Sequence, residues 1–329
     1  MATRLLNRIR PSAHGRRAPV TIRGNEPLLD QELMLSLQRL ALSAPRVQRG
    51  TFAGEHRSRR RGSSPEFADF KSYSPGDDIR RVDWNLYARF DELFVRLSEV
   101  TTDLTVHLLL DASASMDWRA NVQTPTKYRF AQKIAAAIAY VALWHFDRIR
   151  ISPIARGDEP SFGPAQGRTH VPGLIAYLEE CTPGGDRTLT QRLHTYGHRQ
   201  ATPGLLVILS DILTDDVELL IGQCKSLRGR GWDVALIHIV DPAELSPALL
   251  FAGEDRSQPT TLIDSESGEK VMVLPTAASL QRYSNAVDTW LGELHDKCRL
   301  HGITYARLAT DQPLESAVLR LLNQHGLLS

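Results

Sequence analysis

Val106-His-Leu-Leu-Leu110-Asp111-Ala-Ser113-Ala-Ser115 is an apolar run that ends in one carboxylate and two hydroxyls. A short run of this kind, closing on a small polar loop, reads as a buried central strand of a parallel sheet. Ligands of open α/β sheets gather at the carboxyl ends of such strands. Oxygen side chains at alternate positions can converge on one point, and a hard cation such as Mg²⁺ takes oxygen ligands in octahedral geometry. Asp111, Ser113 and Ser115 are therefore candidate metal ligands. The competing reading is structural, because Asp and Ser are also common turn and N-cap residues after a strand.

A second run, Leu205-Leu-Val-Ile-Leu209, ends in Ser210-Asp211. An Asp at the tip of a second central strand can face the first loop, which adds Asp211 to the candidate set. The spacing of Asp111, Ser113 and Ser115 resembles the first loop of the metal-ion-dependent adhesion site of von Willebrand factor A-type domains. That resemblance implies a third-loop Asp, matched by Asp211. It also implies a ligand Thr in a Gly-rich loop, matched by Thr188 in Thr182-Pro-Gly-Gly-Asp-Arg-Thr188. The Gly-Gly-Thr run of those domains is broken here by Asp186 and Arg187. Asp186 is an alternative oxygen ligand, and Arg187 would oppose a cation by like-charge repulsion.

Outward from these strands, residues 104–329 alternate strand and helix. Strands are expected at 104–110, 149–154, 204–210, 233–240 and 303–308. Helices are expected near 127–146, 171–181, 189–200, 215–229, 277–301 and 313–326. Such alternation gives an α/β, doubly wound, mostly parallel sheet with helices on both faces. Residues 241–275 interrupt the rhythm, and Asp264-Ser-Glu-Ser-Gly-Glu-Lys270 reads as the turn of a hairpin insertion. Residues 27–103 are expected to hold an N-terminal helix, with leucines at 29, 33, 37 and 40, and then an irregular β-rich elaboration. Residues 1–26 are basic and contain Pro11, Gly15 and Pro19, and they read as a disordered tail.

The chain has 329 residues and a formal net charge of +1, so no global field argues for nucleic acid or membrane. Its basic stretches, residues 1–24 and Arg57-Ser-Arg59-Arg60-Arg61, read as solvated segments. Three scattered cysteines, Cys181, Cys224 and Cys298, form neither metal spacing nor a disulfide framework. No apolar stretch approaches the ~20 residues of a membrane span, and no secretory signal pattern opens the chain. The expectation is a cytoplasmic protein without a membrane span and without a nucleic-acid partner.

Tyr73-Ser-Pro-Gly-Asp77-Asp78-Ile-Arg80-Arg-Val-Asp83-Trp84-Asn85, followed by Ala88-Arg89 and Leu93-Phe-Val95, resembles the bacterial family called domain of unknown function 58. The resemblance continues through Asp111 to Met116, Ser210-Asp211, Asp241-Pro-Ala-Glu244-Leu and the Asp264–Gly268 turn. It covers roughly residues 50–310. It implies a von Willebrand A-like domain and an association with MoxR-type AAA+ ATPases in systems that mature or assemble other proteins. It implies no known catalytic activity. On the residues themselves, Gly76 after Pro75 suits a type II turn. Asp77, Asp78 and Asp83 alternate with Arg80, Arg81 and Arg89 beside Trp84. The group reads either as an ion-pair lattice that pins this region to the sheet, or as a partner-binding face anchored by Trp84.

The function expected is a non-enzymatic protein-interaction module. Its cation, Mg²⁺ or another divalent ion, is bound by Asp111, Ser113, Ser115, Thr188 and Asp211, with one position open to a partner's carboxylate. The alternative is an Mg²⁺-dependent hydrolase acting on phosphate or ester substrates. Against that alternative, Ser113 stands where a haloacid-dehalogenase-type phosphatase carries its second Asp. No Gly-x-Ser-x-Gly elbow or Walker A run is present. No His, Lys or Cys is evidently placed at the strand tips to act as nucleophile or base.

Overall fold

The structure is a computed structural model. It describes residues 27–43, 67–73, 79, 82, 84–98, 104–154, 160–184, 189–199, 202–214, 216–251, 258–263 and 269–324. The chain divides into two compact units, one within residues 46–103 and one formed by residues 1–45 and 104–329.

The larger unit is built on a six-stranded sheet. Its strands are β3 (Thr105–Asp111), β4 (Arg148–Ile154), β5 (Phe162–Gln166), β6 (Leu205–Ser210), β7 (Asp233–Val240) and β10 (Thr304–Ala309), in the order β10-β7-β6-β3-β4-β5. All neighbours are parallel except β5, which runs antiparallel to β4 at the edge. This is the doubly wound α/β arrangement expected from the strand–helix rhythm. Connections from β3 proceed outward to one side and those from β6 to the other. The reversal leaves a crevice at the carboxyl ends of β3 and β6, the switch point where ligands of such sheets collect.

Side-chain alternation along each strand sorts the core into two layers. Val106, Leu108 and Leu110 of β3 join Leu205, Val207 and Leu209 of β6 on one face. Helices α3 (Lys127–Trp144), α4 (Val171–Glu180) and α9 (Leu314–Gln324) cover that face. Leu109, Leu206 and Ile208 point the other way, towards α5 (Leu189–Arg199), α6 (Val217–Gly229) and α8 (Ala277–Leu300). Small residues, Ala135, Ala136, Ala137 and Ala139, let α3 pack closely, and nearly its whole length is buried. Its N-cap is Thr126, whose hydroxyl accepts from the Arg129 N–H at 3.1 Å, so the helix begins at Lys127 without help from Ser113 or Ser115.

The N-terminal helix α1 (Gln31–Ser43) corrects the expected division at 27–103. Leu28, Leu29, Leu33 and Leu37 are buried in the same layer as α3, and Gln38 donates to the Tyr140 hydroxyl at 2.7 Å. An amphipathic stripe must find an apolar partner, and α3 supplies it. Residues 46–103 contribute the antiparallel pair β1 (Phe67–Ser72) and β2 (Phe94–Ser98), with helix α2 (Trp84–Phe90) between them. The insertion in 241–275 contains the short helix α7 (Pro242–Leu245) and the antiparallel strands β8 (Thr260–Ile263) and β9 (Lys270–Val273). Strand β5 is absent from the sequence reading, because Phe162-Gly-Pro-Ala-Gln166 carries the Gly-Pro pair of a turn. An edge position tolerates that proline. The basic tail and the 57–61 cluster lie outside the described residues. Among the described residues no helix is long and apolar enough to cross a membrane.

Leu109 and Ile208 are register partners on adjacent central strands and are fully buried. Truncating either to Ala is expected to cost ~2–5 kcal/mol through lost transfer energy and a residual cavity. Urea denaturation of each variant measures it, and a cost below about 1 kcal/mol would contradict this placement.

Candidate functional site

Asp111 ends β3, and Ser210-Asp211 ends and follows β6, the parallel neighbour. Asp111 Oδ1 accepts from the Ser113 N–H at 3.0 Å, and Oδ2 accepts from the Ser210 hydroxyl at 2.5 Å. Ser210 Oγ in turn accepts from the Ile212 N–H at 2.9 Å. Ile212 sits at φ +55°, a left-handed conformation costly for a β-branched residue. The strand tip is thereby turned sharply just after Asp211, and Asp211 Oδ1 accepts from the Leu213 N–H at 3.3 Å.

Ser113 precedes and Ser115 lies within a 3-10 turn, Ala114–Asp117, and their hydroxyl oxygens are 3.0 Å apart. Two cis ligands of an octahedral Mg²⁺ at ~2.0–2.1 Å lie about 3 Å apart. The spacing of the two hydroxyls therefore suits one cation. The Gly-rich loop also reaches this point: the Gly184 N–H donates to the Ala112 carbonyl at 2.7 Å. Gln132 steadies the approach by donating to the carbonyls of Leu178 and Cys181. Thr188, Asp186 and Arg187 lie outside the described residues.

Lys127, the first residue of α3, stands at the strand tips, although the sequence pointed to no lysine there as nucleophile or base. Its ammonium donates to Asp211 Oδ2 at 2.7 Å and to Glu244 Oε1 at 2.5 Å. The residue is 1% exposed, and its charge faces the Trp118 ring at 5.8 Å. Glu244 is aimed by a capping box. Asp241 caps α7 through the Ala243 N–H, and Glu244 Oε2 accepts from the Asp241 N–H at 2.8 Å. Asp241 Oδ2 also accepts from the Ala120 N–H at 3.1 Å, and the Tyr283 hydroxyl donates to the Glu244 carbonyl at 2.9 Å. Lys127 and Glu244 are thus site residues missing from the sequence-derived set. A signal existed for each. Lysine at the start of a helix opposes the helix dipole and needs a reason. Asp-Pro-x-Glu is the sequence pattern of a capping box.

The electrostatics divide the two strand-tip carboxylates. Burial acts to lower Lys127, but the charges of Asp211 and Glu244 outweigh it, so the ammonium is held above its ordinary range. Asp111 faces hydroxyl and N–H donors but no cationic partner among the described residues. Burial, and then the nearby Asp211 charge, push its carboxyl up to about 6 against the opposing bonds from Ser210 and Ser113. Among the described residues no group of three or more His, Cys, Asp or Glu side chains is placed to hold a metal ion. The donors here are one carboxylate and two hydroxyls, with Asp211 turned to Lys127.

The family model described as "Protein of unknown function DUF58" matches residues 69–289. The chain belongs to this family. Two relatives, uncharacterized proteins of Mycobacterium bovis and Mycobacterium tuberculosis, are each 28% identical to this family member over 256 residues. Each alignment covers 76% of this chain and 75% of the relative. Among solved structures, a conserved hypothetical protein BatB from Bacteroides thetaiotaomicron is similar at 12% identity and a TM-score of 0.39. That match covers 68% of this chain and 98% of the other.

Of the family-motif residues named as partner-binding candidates, Asp77, Asp78, Arg80 and Asp83 lie outside the described residues. Trp84 opens α2 at 60% exposure and meets Tyr87 edge-on at 6.2 Å. Arg89, in the last turn of α2, is exposed as well.

Two outcomes follow from these charges. Lys127→Met leaves Asp211 and Glu244 buried without their cation, and a loss of ~3–5 kcal/mol is expected in chemical denaturation. For Asp111, the fold favours the protonated form. In chelator, its contribution is fully present below pH ~4 and is lost as pH rises through about 6. The unfolding free energy of Asp111→Asn minus that of wild type should therefore rise by about 2 kcal/mol between pH 4 and pH 7. A difference that stays flat would mean that the fold does not raise the Asp111 carboxyl.

Proposed function

We propose that this family member is a non-enzymatic, cation-dependent protein-interaction module of the von Willebrand A type. Asp111, Ser113 and Ser115 would hold the divalent ion; Thr188, the further ligand that the resemblance implies, lies outside the described residues. The observation that carries this reading is the pair of hydroxyls at 3.0 Å beside a buried carboxylate that lacks a cationic partner among the described residues. A divalent cation would offset the burial of Asp111 and offer an open coordination position to a carboxylate. An Asp or Glu side chain of a partner is the chemistry that position selects. The family resemblance supports a MoxR-type AAA+ ATPase as partner, with a client protein that this system matures or assembles.

Catalysis is the weaker reading. A nucleophilic or basic lysine needs a lowered pKa, whereas Lys127 is held protonated between two carboxylates. The nearby His238 is kept neutral, because burial lowers its imidazole to about 3, and its Nδ1 lies 2.9 Å from the Tyr305 hydroxyl.

The double variant Ser113→Ala/Ser115→Ala tests the proposal. It removes both partners of one hydrogen bond and adds no bulk, so in chelator its stability should stay within about 1 kcal/mol of wild type. Millimolar Mg²⁺ should raise the melting temperature of wild type and leave the variant unmoved, since only a ligand bound by the native state stabilises it. Capture of the AAA+ ATPase should fail for the variant, and for wild type in chelator. Equal Mg²⁺ shifts in the two proteins, or capture that ignores chelator, would sink the reading.

A further inference from the structure

Asp211 has both carboxylate oxygens in use. Oδ2 accepts from the Lys127 ammonium at 2.7 Å and Oδ1 from the Leu213 N–H at 3.3 Å. Neither Lys127 nor Glu244 is placed to let go. Lys127 is almost wholly buried at the first turn of a buried helix, and Glu244 is held by the Asp241 N–H and, at its carbonyl, by the Tyr283 hydroxyl. A divalent ion that took Asp211 as a direct ligand would have to displace an ammonium from it and settle beside that like charge.

We propose that Lys127 sets the strength of the cation site by withdrawing Asp211 from it, so that Asp111 is the one charged direct ligand among the described residues. This rests on the cation-site reading given above. With a single carboxylate and two neutral hydroxyls, the ligand set neutralises half of a divalent charge. The remaining charge is satisfied when a partner brings a second carboxylate. Cation and acidic partner then bind strongly together and weakly apart. Lys127 and Glu244 are positioning residues in this scheme, and neither touches the cation.

The test uses the full chain and Mg²⁺ alone as the probe, read by titration calorimetry and by the Mg²⁺-dependent shift in melting temperature. Lys127→Met/Glu244→Gln removes the ammonium together with one of the two carboxylates it neutralises, and so frees Asp211. A unit charge about 4 Å away is worth more than tenfold in affinity at the effective dielectric of a protein site. The double variant should therefore bind Mg²⁺ at least about tenfold more tightly than wild type, and adding Asp211→Asn should cancel the gain. In the otherwise wild-type chain, Asp211→Asn removes a charge that acts only across space and should lower Mg²⁺ affinity by less than about tenfold.

A folded double variant that binds no more tightly than wild type overturns the role of Lys127 and leaves the cation site standing. Should the double variant fail to fold, the single Asp211→Asn still decides. An affinity within about tenfold of wild type supports the withdrawal of Asp211, and a larger loss overturns it. Absence of Mg²⁺ binding in wild type and in every folded variant overturns both this inference and the cation-site reading. Binding seen in the double variant alone supports the withdrawal of Asp211 by Lys127 and overturns Mg²⁺ binding by the wild-type site.

Discussion

The site depends on one buried charge. Lys127 carries an ammonium into the space between the end of β6 and the start of α7, where an unpaired charge would cost several kcal/mol. Asp211 and Glu244 resolve that cost, and in doing so they tie three elements together: the first turn of α3, the tip of β6 and the helix that follows β7. Each partner is itself oriented. The left-handed Ile212 turns the chain just after Asp211, and the capping box of Asp241 and Glu244 fixes the second carboxylate. Removing the ammonium would leave two buried carboxylates without their shared cation.

This arrangement separates two roles that the strand tips of an open α/β sheet could share. Asp211 serves the internal ion pair, and Asp111 is left to hydrogen bonds. A buried carboxylate satisfied only by hydroxyls and an N–H is disfavoured in its charged form, which is why burial raises it. The same feature makes it receptive to a cation. Ser113 and Ser115 stand beside it at a separation suited to one octahedral ion, and neither is committed to capping α3. The switch point between β3 and β6 thus holds a closed charge triad next to an open oxygen cluster.

Much of the fold was legible in the sequence, and the reason is periodicity. Val106–Leu110 and Leu205–Leu209 are too apolar for a half-exposed strand and too short for a helix, so they must lie in the middle of a sheet. The helices after them carry stripes that fit only a two-faced α/β layer. Edge and insertion elements were harder. Strand β5 contains Gly163 and Pro164, which local rules assign to a turn, and only pairing with β4 makes it a strand. Helix α1 was recognisable as a helix, but which surface it covers depends on the apolar face that α3 leaves exposed.

The sequence by itself determined the order of the central strands' chemistry: a carboxylate and two hydroxyls after the first, a carboxylate after the third, and membership of a family with that pattern. Those properties follow from short-range spacing and strand context. What only the tertiary structure decided is the company each carboxylate keeps. Lys127, Asp211 and Glu244 are separated by 84 and 117 residues along the chain from lysine to each acid. No local pattern links them, because their contact is set by where a helix start, a strand end and a capping box meet across the sheet. Long-range electrostatics of that kind are a property of packing, and they turned two carboxylates of similar sequence setting into one that is neutralised and one that is not.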